Sequence, residues 1–221
     1  MLKTGNIVID YFLVVVKFLP LLPAGLIFFR QRYLKEPLNF LLIVCLLNFL
    51  AGFARQSSFL NTDNHSIINN VFSILEWLLL TQLFKPILGK GTKDPLNILL
   101  LVFLSIQVTF YSLKGWDHSN PVLNTIQNCL IIGVVLLSLP PLVRSTDLTV
   151  FESSLFWIAG GCLFYFPILI LVEWVGTGWL PLCNCPDTEK MMMLAIADCM
   201  RYLLFTLAIL LCPPRNLPGA S

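Results

Sequence analysis

"INNVFSILEWLLLTQLF", residues 68–84, is the stretch whose reading decides the fold. Leu, Ile, Val, Phe and Trp fall on every side of a helix drawn through it. A helix that is apolar all round lies in a large core or in a membrane. Only 12% of the chain is charged and its mean hydropathy is +0.83. Soluble domains carry about 25% charge, so there is too little polar surface to coat a globule, and lipid must be the solvent. That makes Glu76, in the middle of the stretch, the residue that needs explaining.

The same composition recurs outward in both directions. A bilayer core of roughly 30 Å requires about 20 apolar residues per helix. Seven stretches qualify, at approximately 7–29, 38–55, 66–84, 95–113, 121–143, 154–174 and 192–212. The expectation is an all-α, seven-transmembrane-helix bundle, with residues 1–221 forming a single transmembrane domain. The first run follows Lys3 as a signal peptide would, but no small-x-small cleavage site ends it, so it reads as a retained span. Pro37, Pro95 and Pro121 fall where the second, fourth and fifth spans start, where a missing N–H costs nothing, and Pro213-Pro214 closes the last. Pro20, Pro23 and Pro167 lie inside spans and predict kinks.

Orientation follows from the basic residues of the connections. Arg30, Arg32, Lys35, Lys85, Lys90, Lys93, Arg144 and Arg215 make eight on one side; Lys3, Arg55, Lys114 and Lys190 make four on the other. The N-terminus is therefore expected outside and the C-terminus inside, in a multi-pass protein of the inner (cytoplasmic) membrane.

With that orientation, the polar side chains within spans crowd toward the outer half. Asn69, Ser73 and Glu76 follow i, i+4, i+7 spacing and share a helix face. Lys17 sits midway along the first span, seven residues after Asp10. Asn124, Gln127 and Asn128 mark the outer third of the fifth, and Asp198, Arg201 and Tyr202 cluster in the last. The inner stretches "LIIGVVLLSLPPLV" (130–143) and "LLFTLAILLC" (203–212) hold no charge. Ionisable groups in a bilayer cost several kcal/mol unless paired or wetted. The expectation is one polar pocket, open outward, in which Lys17, Asn69, Ser73, Glu76, Gln127, Asn128, Asp198, Arg201 and Tyr202 bind a ligand, with Lys17 or Arg201 partnering Glu76. The alternative is that these groups only join helices by hydrogen bonds of about 0.6 kcal/mol each. Asn48, Gln107 and Ser138 need no more than that, and Asp10 and Glu173 could simply reach headgroup water.

Several chemistries are excluded. The histidines, His65 and His118, fall in predicted loops, so the ligands of a zinc hydrolase are missing and no metal site is expected. Arg201 cannot form the Schiff base of a retinal protein. No phosphate-binding loop, dinucleotide fingerprint or serine-nucleophile elbow occurs, hence no cofactor. A net charge of +2 without basic-aromatic runs gives no reason to expect nucleic acid. Cys45, Cys129, Cys162, Cys199 and Cys212 read as small packing residues and Met191–Met193 as adaptable packing. Cys183 and Cys185 form a loop C-x-C that could pair or bind metal, though ordinary loop cysteines fit as well. Gly160-Gly161 reads as a close helix approach.

Three motifs carry a resemblance: Asn69-Asn70 with Leu75-Glu76, Phe156-Trp157 with Gly161 and Phe164–Phe166, and Tyr202–Phe205. Together they resemble a family of uncharacterised seven-helix integral membrane proteins of about this size from Bacteroidetes-type bacteria, over most of the chain. The resemblance implies a bacterial seven-helix bundle, some of whose relatives are encoded beside sensor histidine kinases, and no biochemical activity. Asp198 stands where that family often carries Asn, so the pocket does not carry over at that position. Three functions are expected in order: a receptor or sensory module that signals through a separate cytoplasmic partner such as a sensor kinase; an enzyme acting on outer-leaflet membrane lipid, with Glu76 or Asp198 as general acid or base; and a transporter. The apolar inner halves count against the last, because a translocation path needs polar lining on both sides.

Overall fold

A computed structural model describes residues 7–30, 38–56, 62–118, 120–144, 153–176 and 187–211. They form eight α-helices in chain order: α1 (Ile7–Phe18), α2 (Leu21–Arg30), α3 (Leu38–Gln56), α4 (Thr62–Phe84), α5 (Lys90–Lys114), α6 (Pro121–Arg144), α7 (Ser154–Gly176) and α8 (Asp187–Leu210). A 3-10 turn, Lys85–Ile87, follows α4, and no strand occurs among the described residues. Pro37, Cys183, Cys185, Cys212 and Pro213-Pro214 lie outside them.

Among the described residues, six stretches are long and apolar enough to cross a membrane: Ile9–Arg30, Ser66–Ile87, Gly91–Lys114, Pro121–Arg144, Ser154–Val175 and Thr188–Leu210. The seventh expected span, in α3, is apolar only over Leu38–Ala54 and falls short of that length. This is the build of a multi-pass membrane protein. Large side chains are left uncovered at its rim, Phe29 at 84% and Leu113 at 79% exposure, which only acyl chains would solvate without penalty.

The first span is two helices. α1 ends at Phe18 and α2 begins at Leu21, joined by two turn residues, Leu19 and Pro20. Pro20 offers no N–H and disfavours helical geometry at Leu19. The Leu19 N–H instead bonds back to Val16 O at 3.2 Å, and Leu22 N–H to Leu19 O at 3.0 Å. Pro167, in contrast, is carried within a continuous α7. The fourth span begins before Pro95: α5 opens at Lys90 and holds Pro95 inside it. Pro121 is the first residue of α6, and Asn120 caps that helix by accepting from the Val122 and Leu123 N–H groups at 3.0 and 3.3 Å.

The helices close into a ring in the order α2, α3, α4, α6, α7, α8, each packing on the next and α8 returning to α2. α1 continues the α2 position toward the other end of the ring and lies against α3 and α8. α5 stands outside, tied by the edge-to-face pair of Phe103 with Trp77 of α4 (5.3 Å) and by Gln107 donating to Gln127 of α6 (2.6 Å). Between the α2 ends of the spans the ring is filled: Leu80, Leu83, Phe84, Val135, Phe205 and Ile209 are fully buried. Arg30 closes that end by donating to the Ile209 carbonyl at 2.8 Å, satisfying a terminal acceptor of α8. The tightest seam is α7 on α8. At Gly161 a Cβ would stand 2.9 Å from the Phe205 ring and 3.3 Å from the Arg201 carbonyl, so only glycine fits without a shift.

Candidate functional site

Toward the α1 end the ring is not filled. A cavity of about 450 Å³ lies between α1, α3, α4, α6, α7 and α8. The Asn69, Ser73 and Glu76 face of α4 lines one wall, a consequence of the spacing that puts them on one side of the helix. Lys17 lines it from α1, its stem 3.9 Å from where a Gly52 Cβ would stand. Asn128 contributes from α6, and Asp198 and Tyr202 from α8.

Two of the expected site residues stand back from the cavity. Gln127 donates its amide Nε2 to the Ser73 hydroxyl (2.7 Å) and carbonyl (3.0 Å), while its oxygen accepts from Gln107. It fastens α6 to α4 and α5. Arg201 lies beneath the floor, 1% exposed, and is the centre of the polar cluster. Its Nη1 donates to Glu76 Oε1 at 2.7 Å; its Nη2 donates to the Tyr202 hydroxyl at 2.5 Å and lies 3.4 Å from Asp198 Oδ1. The guanidinium carbon sits 3.9 Å above the centre of the Tyr165 ring. A lone guanidinium at this depth would be prohibitively costly. Two carboxylates, a phenol and a π-face share that cost here, and Nε alone has no acceptor. The carboxylates keep contact with the cavity, Glu76 at 14% and Asp198 at 31% side-chain exposure. The result is a rigid charged floor with its anionic edge facing the cavity.

Other contributors are not separable from helix-joining polar groups by sequence. Asn48 donates to Glu76 Oε1 at 2.9 Å and so orients the carboxylate that Arg201 also holds. Glu173 lines the cavity rather than simply meeting headgroup water, and accepts from Asn124 at 2.6 Å. Tyr165 is the face on which Arg201 rests. Asn70 lines the cavity and donates to the Trp116 and His118 carbonyls at 2.9 and 3.0 Å, fixing the α5–α6 connection over the ring. That connection turns at Gly115, whose φ of 100° suits glycine. The signal that could have found Asn124 and Glu173 is their common depth near the same end of adjacent helices. Ser138, by contrast, bonds only its own helix, to Val135 O at 2.7 Å.

The described residues include no group of three or more His, Cys, Asp and Glu able to hold a metal ion. Of the cysteines, Cys45 and Cys162 are buried, Cys199 is partly covered and Cys129 is exposed, all as free thiols. No family model, curated protein or solved structure matches this chain.

Proposed function

We propose that the chain is a receptor or sensory module of the inner membrane, whose cavity faces outward, binds a small ligand and passes that event to a separate cytoplasmic partner. The observation that carries this reading is the one-ended cavity: about 450 Å³, within the range of small-molecule sites, above a half of the ring packed with apolar side chains. A transported solute would find no polar lining in that packed half. A bound one touches Asp198 and Tyr202 of α8, the helix whose far end is held by Arg30. Ligand contact and the opposite membrane face thus share one rigid element, which is what a shift of helix position requires.

A photo-crosslinker placed at Lys93, and separately at Arg144, in native membranes tests the reading. Capture of one defined cytoplasmic protein from both positions is the expected result; recovery of lipid alone counts against it. The second reading, hydrolysis of outer-leaflet lipid, draws on the Glu76 and Asp198 carboxylates at the cavity floor. Arg201 engages both, which suits a binding floor better than a proton shuttle. Release of headgroup or aldehyde from an outer-leaflet lipid mixture by the purified protein would reverse that order.

A further inference from the structure

Residues that line the cavity carry hydrogen-bonding groups left unused among the described residues. Glu173 Oε1 accepts from Asn124, but Oε2 is buried with no donor among the described residues. Glu76 receives Arg201 and Asn48 on the same oxygen, Oε1, and neither donates to Oε2. Asn128 is 3% exposed, lines the cavity, and makes no hydrogen bond among the described residues. Its amide opens onto the cavity with donor and acceptor both unused among the described residues.

Charge narrows what that something is. Three carboxylates, Glu76, Asp198 and Glu173, line the cavity against the single ammonium of Lys17. Arg201 reaches Glu76 and Asp198 from behind and makes no ion pair with Glu173, which has no basic partner among the described residues. An anionic ligand would meet this excess of like charge. A divalent metal would lack the ligand set. The phenol of Tyr202 and the ring of Phe72 on the same walls suit an organic body.

We infer that the cavity takes a small organic ammonium ion, whose N–H groups donate to the Glu173 carboxylate while its polar remainder meets the Asn128 amide. This rests on the ligand-binding reading above and adds the chemical class. The acceptor Oε2 of Glu76 extends the same anionic wall toward the floor.

The test uses the full chain in phosphatidylcholine nanodiscs and three probes of similar size: tyramine, its uncharged counterpart 4-(2-hydroxyethyl)phenol, and the anion 3-(4-hydroxyphenyl)propionate. Calorimetry against empty nanodiscs should show tyramine binding about tenfold tighter than the alcohol, a difference that one well-placed charge contact supplies, with the anion weaker than both. Glu173→Gln keeps an acceptor for Asn124 and should erase the preference for the amine with the melting temperature unchanged. Lys17→Met, which removes the opposing ammonium, should raise tyramine affinity. Equal binding of alcohol and amine, tighter binding of the anion, or a preference that survives Glu173→Gln each overturns the inference while leaving a ligand-binding receptor intact. Binding of none of the three also overturns it, and the receptor reading falls with it only if crosslinking from Lys93 and Arg144 recovers no protein.

Discussion

The two ends of the ring solve the same problem differently. At the α2 end, Leu80, Leu83, Phe84, Val135 and Ile209 fill the space between helices, and the hydroxyls of Thr81, Ser138 and Thr206 each donate to a carbonyl of their own helix. At the α1 end, helices are held apart and joined by long-range polar contacts: Arg201 to Glu76, Asn48 to Glu76, Gln127 to Ser73, Asn124 to Glu173. Lipid supplies no hydrophobic drive for one helix to join another. Apolar helices therefore associate by close fit, and wherever the fit is relaxed to leave a cavity, polar bonds must take over. The contrast teaches that the cavity and the charged cluster are one feature: the space is tolerable because the walls are bonded to each other through its floor.

The strongest challenge to this contrast is removal of its centre. Arg201→Met leaves Glu76 and Asp198 without their cation and should lower stability by about 3–5 kcal/mol, the cost of breaking a buried pair, as read by denaturant unfolding in detergent. Glu76→Gln added to it should recover part of that loss, because the double variant leaves one fewer unpaired charge; a purely additive result would deny the coupling. Gly161→Ala probes the seam just beneath. The new methyl meets the Phe205 ring and the Arg201 carbonyl, and overpacking of this kind costs roughly 1–3 kcal/mol, again measured by unfolding. The mildest pair sharpens the comparison between ends. Gln127→Leu removes the α6–α4 and α6–α5 bonds and should cost about 0.6–1.7 kcal/mol. Ser138→Ala at the packed end, which removes a bond only to the Val135 carbonyl of the same helix, should fall within about 0.5 kcal/mol of the parent. Equal losses from the two would mean that the ends do not differ in how they are held.

Much of this was open to a reader of residues alone, for reasons of geometry. Helical spacing places Asn69, Ser73 and Glu76 on one face of α4, and all three line the cavity. Position along a span sets depth, so Lys17, Asp198 and Glu76 share a level whichever helices neighbour one another. Depth says nothing of azimuth. Gln127 and Asn128 are adjacent and equally deep, yet one braces Ser73 from outside the cavity and the other faces into it. Asn48 looks like any helix-joining amide until α3 is seen beside α4, where it grips the same carboxylate oxygen as Arg201. Gln107 points to Gln127 and not to the cavity because α5 lies outside the ring, a choice that no periodicity encodes.

Composition, span length and the depth of polar groups were determined by the chain itself, since each depends only on local chemistry and a rise of about 1.5 Å per helical residue. Which helices are neighbours, where Pro20 divides the first span, and which of the polar groups meet across the ring were decided by tertiary packing. The reason is physical: lipid treats every apolar helix face alike, so only the fit of Gly161 against α8 and the mutual bonding of buried charges select one arrangement among many.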